Sequence, residues 1–178
     1  INKTIENGWS VNVLAHQIDT NLYSRQIGQK KVSNFPINLP SPQSELALET
    51  MKDPYVFDFI ELKEDAQEKD LEESLIKNRT KVLLEFGRCL AFVGHQYHLE
   101  VAGEDYYIDL LFYNIKLKCY VVIELKVGEF KPEYVGKMKF YLSLLDKLEK
   151  APDENPSIGI ILCAEKDHLE VEMALQDV

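Results

Sequence analysis

Two segments suited to strands, Tyr106–Tyr113 and Leu117–Lys126, are separated only by Asn114, Ile115 and Lys116. Both are rich in β-branched and aromatic residues, which pack well on a pleated surface. So short a connection folds the second strand back antiparallel to the first. A third run, Gln96–Val101, precedes them across a Gly103-Glu104 turn, which makes a meander. Pro132 suits the first turn of a helix. The stripe Tyr134, Met138, Tyr141, Leu142 and Leu145 carries that helix to about Glu149. After the loop Ala151–Pro156, the wholly apolar run Ile158–Cys163 reads as a strand buried on both faces. A strand reached through a helical crossover lies parallel to its neighbour.

Upstream, Leu71, Leu75, Val82 and Phe86, with Ile76 and Leu83 beside them, predict one helix from Glu68 to Phe86, ended by Gly87. The tail Lys166–Val178 suggests a last helix. The expected fold is therefore α/β, a mixed sheet flanked by helices in the order αβββαβ. A chain of 178 residues, 46% hydrophobic, can bury a core of that kind.

The first residues read differently. Ser10 is an N-cap candidate, and Val11, Leu14, Ile18 and Leu22 recur at helical steps to about Arg25. That apolar stripe needs a partner. A segment preceding Ile1 or a second copy would serve, so a homodimer through the N-terminal helix is one expectation. Pro36, Pro40 and Pro42 make residues 34–44 an expected extended linker. The resulting division is a helical segment over 1–33, the linker, and a main domain over 45–178. Within that domain a short helix is expected from Glu45 to Met51, and the apolar segment Asp53–Ile60 is expected to dock on the main domain.

Asp109 and Glu124 interrupt the two strands, and Lys126 follows Glu124 on the same strand face. An unpaired carboxylate is costly beside a buried apolar run. Two carboxylates on adjacent strands can share a Mg²⁺ or Mn²⁺ ion, and a lysine two residues on can reach a water or a phosphate oxygen. With the turn at 114–116, Asp109 falls opposite residues 121–122, so a bulge or twist is needed to bring it to Glu124. Glu-x-Lys alone is common, and a simple ion pair between Asp109 and Lys126 is the competing reading.

The arrangement resembles the PD-(D/E)XK nuclease superfamily over Glu68–Cys163, with Ile108 in place of the proline of the motif's name. A closer resemblance lies in Leu90–Leu99, Tyr106–Tyr113, Val122–Lys126 and Phe130–Tyr134, which are similar to the YhcG-like family of bacterial predicted nucleases. Gly8–Val11 and Ile18–Tyr23 resemble the end of that family's N-terminal helical region. The resemblance implies a restriction-endonuclease-like fold and a Mg²⁺-dependent endonuclease acting on DNA. Asp109, Glu124 and the Leu125 backbone carbonyl would be metal ligands, Lys126 the catalytic lysine, and Glu85 an assisting acid. Lys137 and Tyr141 stand at the spacing of a Gln-x-x-x-Tyr motif, with lysine at the glutamine position, and would contact nucleic acid together with Gln96. The alternative is a nuclease fold without activity, serving DNA binding or subunit assembly.

Charge bears on that choice. The formal net charge of −10 opposes broad contact with phosphates. The segment Lys116–Lys139 is locally basic, however, holding six lysines against Glu124, Glu129 and Glu133. Cys89, Cys119 and Cys163 lie far apart in apolar settings, which fits small core residues in a reducing cytoplasm better than disulfides or zinc. No run approaches the ~20 apolar residues of a membrane span. His95 and His98 would face opposite sides of a strand and share no metal. Tyr97, Tyr106, Tyr107, Tyr113 and Tyr120 could stack on bases, although sheet packing is their commoner use.

Overall fold

The computed structural model describes residues 2–28, 33–50, 52, 55–57, 60, 66–86, 89–163, 171 and 173–175. Its centre is a four-stranded sheet in the order β1-β2-β3-β4, formed by β1 (Leu90–Val101), β2 (Glu104–Asn114), β3 (Cys119–Leu125) and β4 (Ile158–Leu162). The first three strands are antiparallel, and β4 joins β3 in parallel. The α-helices of the described residues are α1 (Asn2–Asn7), α2 (Val11–Asp19), α3 (Phe35–Asn38), α4 (Gln43–Thr50), α5 (Glu68–Lys77), α6 (Arg79–Phe86) and α7 (Glu133–Leu148), the last being the crossover to β4. The α/β class and the αβββαβ order are as the sequence predicts.

Two apolar clusters sandwich the sheet. On one face Leu75, Val82 and Phe86 pack on Leu110, Phe112, Val121, Ile123 and Leu125. On the other, Met138, Tyr141, Leu144 and Leu145 of α7 pack on Leu99, Ile108, Leu111 and Val122. Tyr55, Phe57 and Ile60 dock on the first cluster, as expected of them.

Several boundaries differ from the sequence reading, each for a local reason. The single helix expected over Glu68–Phe86 is broken at Asn78. The Asn78 amide side chain donates to the Ser74 carbonyl at 2.9 Å and its own carbonyl accepts from Lys81 and Val82, so it ends α5 and starts α6. Gly87, the expected helix end, lies outside the described residues, as does Met51. β1 begins six residues earlier than expected, at Leu90, because the Leu90–Phe92 stretch pairs with Phe112–Asn114 before a register shift ahead of Gly94. The turn between β2 and β3 occupies residues 115–118, where Asn114 Oδ1 accepts from the Lys116 and Leu117 amides.

The expected extended linker contains an element. Phe35–Asn38 is a helical turn with Pro36 in its first turn, and Phe35 is buried in the core. An apolar side chain with a place in the core outweighs the proline content. The N-terminal helix is also shorter than expected. Ser10 caps α2, with the Val13 amide donating to its Oγ, but α2 stops at Asp19, and Asn21 takes a positive φ. Leu22 and Arg25 are then buried, while Val11 and Ile18 are exposed. Part of this segment thus finds its partner within the chain. In the expected last helix, Val171 and Met173–Leu175 are helical, and residues 166–170, 172 and 176–178 lie outside the described set.

Candidate active site

The register of β2 on β3 ends with Leu110 paired to Ile123, so Asp109 and Glu124 are the next residues of the two strands just beyond the paired ladder. The longer turn shifts the register towards this juxtaposition of the two acids. The side-chain alternation of β2 also slips at this point. Ile108 and Leu111 belong to the α7-side cluster while Leu110 and Phe112 belong to the opposite one. A strict period of two would have put Ile108 with Leu110. The half-buried Asp109 carboxylate accepts the Leu125 amide at 2.8 Å, which ties the two strands at the site.

Glu124 is 1% exposed. Its Oε2 accepts from Lys137 Nζ at 2.9 Å, with Lys126 Nζ farther off at 3.9 Å. Among the described residues, Glu124 Oε1 is buried with no hydrogen-bond partner. Burial, and then the charge of Asp109, push the Glu124 carboxyl above its ordinary range, against the opposing pull of Lys137 and Lys126. Burial alone would lower the Lys137 ammonium, but the bond to and charge of Glu124 outweigh it and hold its pKa above the usual lysine value. Lys137 also lies 5.0 Å from the centre of the Tyr141 ring, one helical turn along α7.

Lys126 leaves the end of β3 and turns towards α5. Its ammonium donates to the Leu125 carbonyl at 2.7 Å and to Glu68 Oε2 at 3.0 Å, and lies 5.5 Å from the Tyr134 ring. The structure therefore brings together Asp109, Glu124, Leu125, Lys126, Lys137 and Tyr141. Tyr141 is buried, with burial the main cause raising its phenol pKa, so its ring serves Lys137 and the core rather than an exposed base.

Glu85 has a different set of partners. It is fully buried, and its carboxylate accepts from Arg25, from Lys52 Nζ at 3.0 Å and from the Val56 amide at 2.8 Å. Neither the acid pair nor Lys126 is among these partners. The helical acids that reach the site region come from α5: Glu68 on Lys126, and Glu72, buried, accepting from Gln96 Nε2 at 2.7 Å with His95 Nδ1 at 3.3 Å. Sequence reasoning missed both. Their i, i+4 spacing in the first turns before Leu75 was the available signal. Gln96 is thus engaged by Glu72 on its own chain.

The oxygens that could hold a hard divalent cation are the Asp109 carboxylate, the orphaned Glu124 Oε1 and the Leu125 carbonyl. Among the described residues, no group of three or more His, Cys, Asp or Glu side chains gathers as a metal cage. Two carboxylates and a carbonyl are what the described residues offer here. Of the described cysteines Cys119 is buried, and none belongs to this set. Among the described residues no helix is long and apolar enough to cross a membrane.

The YhcG PDDEXK nuclease domain family matches residues 48–178. The Escherichia coli (strain K12) protein named "Putative nuclease YhcG" is 38% identical over 174 residues, covering 97% of this chain and 46% of that protein. This chain thus spans about half the length of that relative. A repair endonuclease from Pyrococcus abyssi, known from its crystal structure, superposes on 66% of this chain and 46% of its own, with a TM-score of 0.43 and 15% identity. On its match over residues 48–178 and its identity to the Escherichia coli protein, the chain belongs to the YhcG PDDEXK nuclease domain family.

Proposed function

We propose that the chain is a metal-dependent endonuclease that hydrolyses phosphodiester bonds in DNA, with Mg²⁺ as its ion and Mn²⁺ as a substitute. The observation that carries this is the buried Glu124, beside Asp109 just past the paired β2–β3 ladder, with one carboxylate oxygen that has no hydrogen-bond partner among the described residues. A native fold rarely leaves such an oxygen unmatched, and a cation would match it. Membership of a nuclease family supports a nucleic-acid substrate.

Asp109, Glu124 and the Leu125 carbonyl would hold the ion. Bound there, it supplies Lewis-acid charge and a more acidic water. Lys126 is anchored by Glu68 and the Leu125 carbonyl beside these ligands, so its ammonium can orient the attacking water or stabilise charge developing on the phosphoryl oxygens. Lys137, partly exposed at the mouth of the site, can take a backbone phosphate. Glu72 fixes Gln96 on β1, next to the position of Asp109 in the ladder.

The test is nicking of supercoiled plasmid in Mg²⁺ or Mn²⁺ by the wild type, Glu124→Ala and Lys126→Ala. Loss of nicking in both variants is expected; cleavage that survives both substitutions defeats the proposal. One observation favours a second reading, a nuclease fold used only for binding or assembly: both Glu124 Oε2 and the Leu125 carbonyl already accept from lysines. Calorimetry separates the two. Binding of DNA with no heat from millimolar Mg²⁺ or Mn²⁺ supports the second.

A further inference from the structure

Lysine stands at position 137 where the resembling motif has glutamine, and its ammonium takes the place closest to Glu124. Lys126 has two other partners, Glu68 and the Leu125 carbonyl, and stays 3.9 Å from Glu124 Oε2. Lys137 Nζ is 2.9 Å from that oxygen. The two side chains differ in freedom as well. Glu124 is 2% exposed in its side chain, Lys126 9%, and Lys137 45%. Lys137 is thus a cation seated on a buried carboxylate from the solvent side, on a long stem that can swing away. It also has a second seat. The Tyr141 ring lies 5.0 Å from Nζ, and an ammonium over an aromatic face keeps part of its interaction after losing the carboxylate.

A divalent ion entering between Asp109 and Glu124 meets this resident charge. Two cations cannot share one carboxylate at contact distance without mutual repulsion, and the repulsion is strong where water is scarce. A glutamine amide in the same place would carry no such charge. We infer that Lys137 is an exchangeable counter-cation of Glu124: it neutralises the acid in the ion-free protein, must be displaced for a divalent ion to bind, and once displaced is free to pair with a substrate phosphate. Lys137 thereby weakens metal affinity and couples metal binding to substrate binding. This inference rests on the two-acid metal site proposed above.

The test is Mn²⁺ titration of the full chain by calorimetry, without substrate, comparing wild type with Lys137→Met and Lys137→Gln. Both substitutions remove the charge from a partly exposed position, and the second keeps a hydrogen-bonding side chain in case the first perturbs folding; thermal melts verify both. The expected result is Mn²⁺ binding about five- to tenfold tighter in both variants, because one charge-assisted hydrogen bond no longer competes with the ion. Binding that becomes measurable only in the variants supports the inference equally. Wild-type binding that is unchanged or weakened in both variants overturns it and leaves the two-acid site standing. Absence of Mn²⁺ binding in all three proteins overturns the metal site and this inference with it. A second readout follows from the coupling. Anisotropy of a short labelled duplex carrying a non-hydrolysable phosphate linkage should show that Lys137→Gln weakens binding more with Mn²⁺ present than without. An equal loss in both conditions would assign Lys137 to the substrate alone and overturn the exchange.

Discussion

The Leu125 amide donates to Asp109 Oδ2 at 2.8 Å, so the residue after one site acid is bonded by the other. Asp109 thus has a structural duty beside any chemical one. Asp109→Ala leaves a largely buried amide without its acceptor, which costs about 1–3 kcal/mol. Asp109→Asn keeps an acceptor oxygen in nearly the same place and should lose much less. Urea unfolding of the two variants measures the difference, while both should abolish nicking. Equal stability of the two variants would show that the bond contributes nothing.

The raised carboxyl of Glu124 gives a stability prediction with a definite sign. Burial is the main cause, so the folded protein holds the proton more tightly than the unfolded chain does. Where the folded state binds more protons, stability falls as pH rises. The decline attributable to Glu124 in the metal-free protein therefore begins near its ordinary value of 4.5 and continues until the raised folded value is passed. Glu124→Gln removes that slope. The variant should be at least as stable as wild type at pH ~7 and inactive, since Lys126 keeps Glu68 and Lys137 is partly exposed. Melts from pH ~4 to ~8 test this; a wild-type profile retained in Glu124→Gln would assign the slope to another group.

Glu85 should behave as an anchor. Its carboxylate gathers Arg25 from the segment after α2 and Lys52 from the segment after α4 into a buried cluster. Removing one member of a buried ion cluster costs about 3–5 kcal/mol, because the remaining charges lose their compensation. Glu85→Ala should therefore lower the melting temperature sharply, whereas Glu85→Gln, if it folds, should cleave plasmid at close to the wild-type rate per folded molecule. A Glu85→Gln protein with unchanged stability and a large loss of rate would restore Glu85 to the chemistry.

These residues also mark how far the sequence could be read. The periodicities of β2, β3 and α7 were legible because each element buries a stripe or a face, and burial imposes the pattern. Asp109, Glu124 and Lys126 were legible because charge inside such a run is rare. The contacts of Glu85 were not. Its helical spacing was correct, but its partners arrive from residues 60 and 33 positions away, and nothing local encodes a long-range ion cluster. Phe35 hid in a proline-rich stretch for a similar reason: the core, not the local sequence, decides that it is buried. The β2–β3 turn is longer than the minimal one because the Asn114 side chain caps it, and that small difference shifts the register leading to the acid pair.

Gly159 of β4 and Met138 of α7 give the last prediction. A Cβ at Gly159 would collide with Met138 Sδ and lie 2.6 Å from its Cγ, far inside contact distance. Methionine is flexible and can yield, so Gly159→Ala should cost about 1–3 kcal/mol rather than prevent folding. Met138→Ala alone opens a cavity and should cost about 2–5 kcal/mol. The two substitutions share one space, so the double variant should lose less than the sum of the singles. Met138 adjoins Lys137, so a displaced α7 also carries that ammonium away from where it would meet a substrate phosphate. Gly159→Ala alone should therefore slow nicking, and Gly159→Ala with Met138→Ala should recover part of the rate. Additive stabilities in the double-mutant cycle would mean that the two side chains do not compete for the same volume.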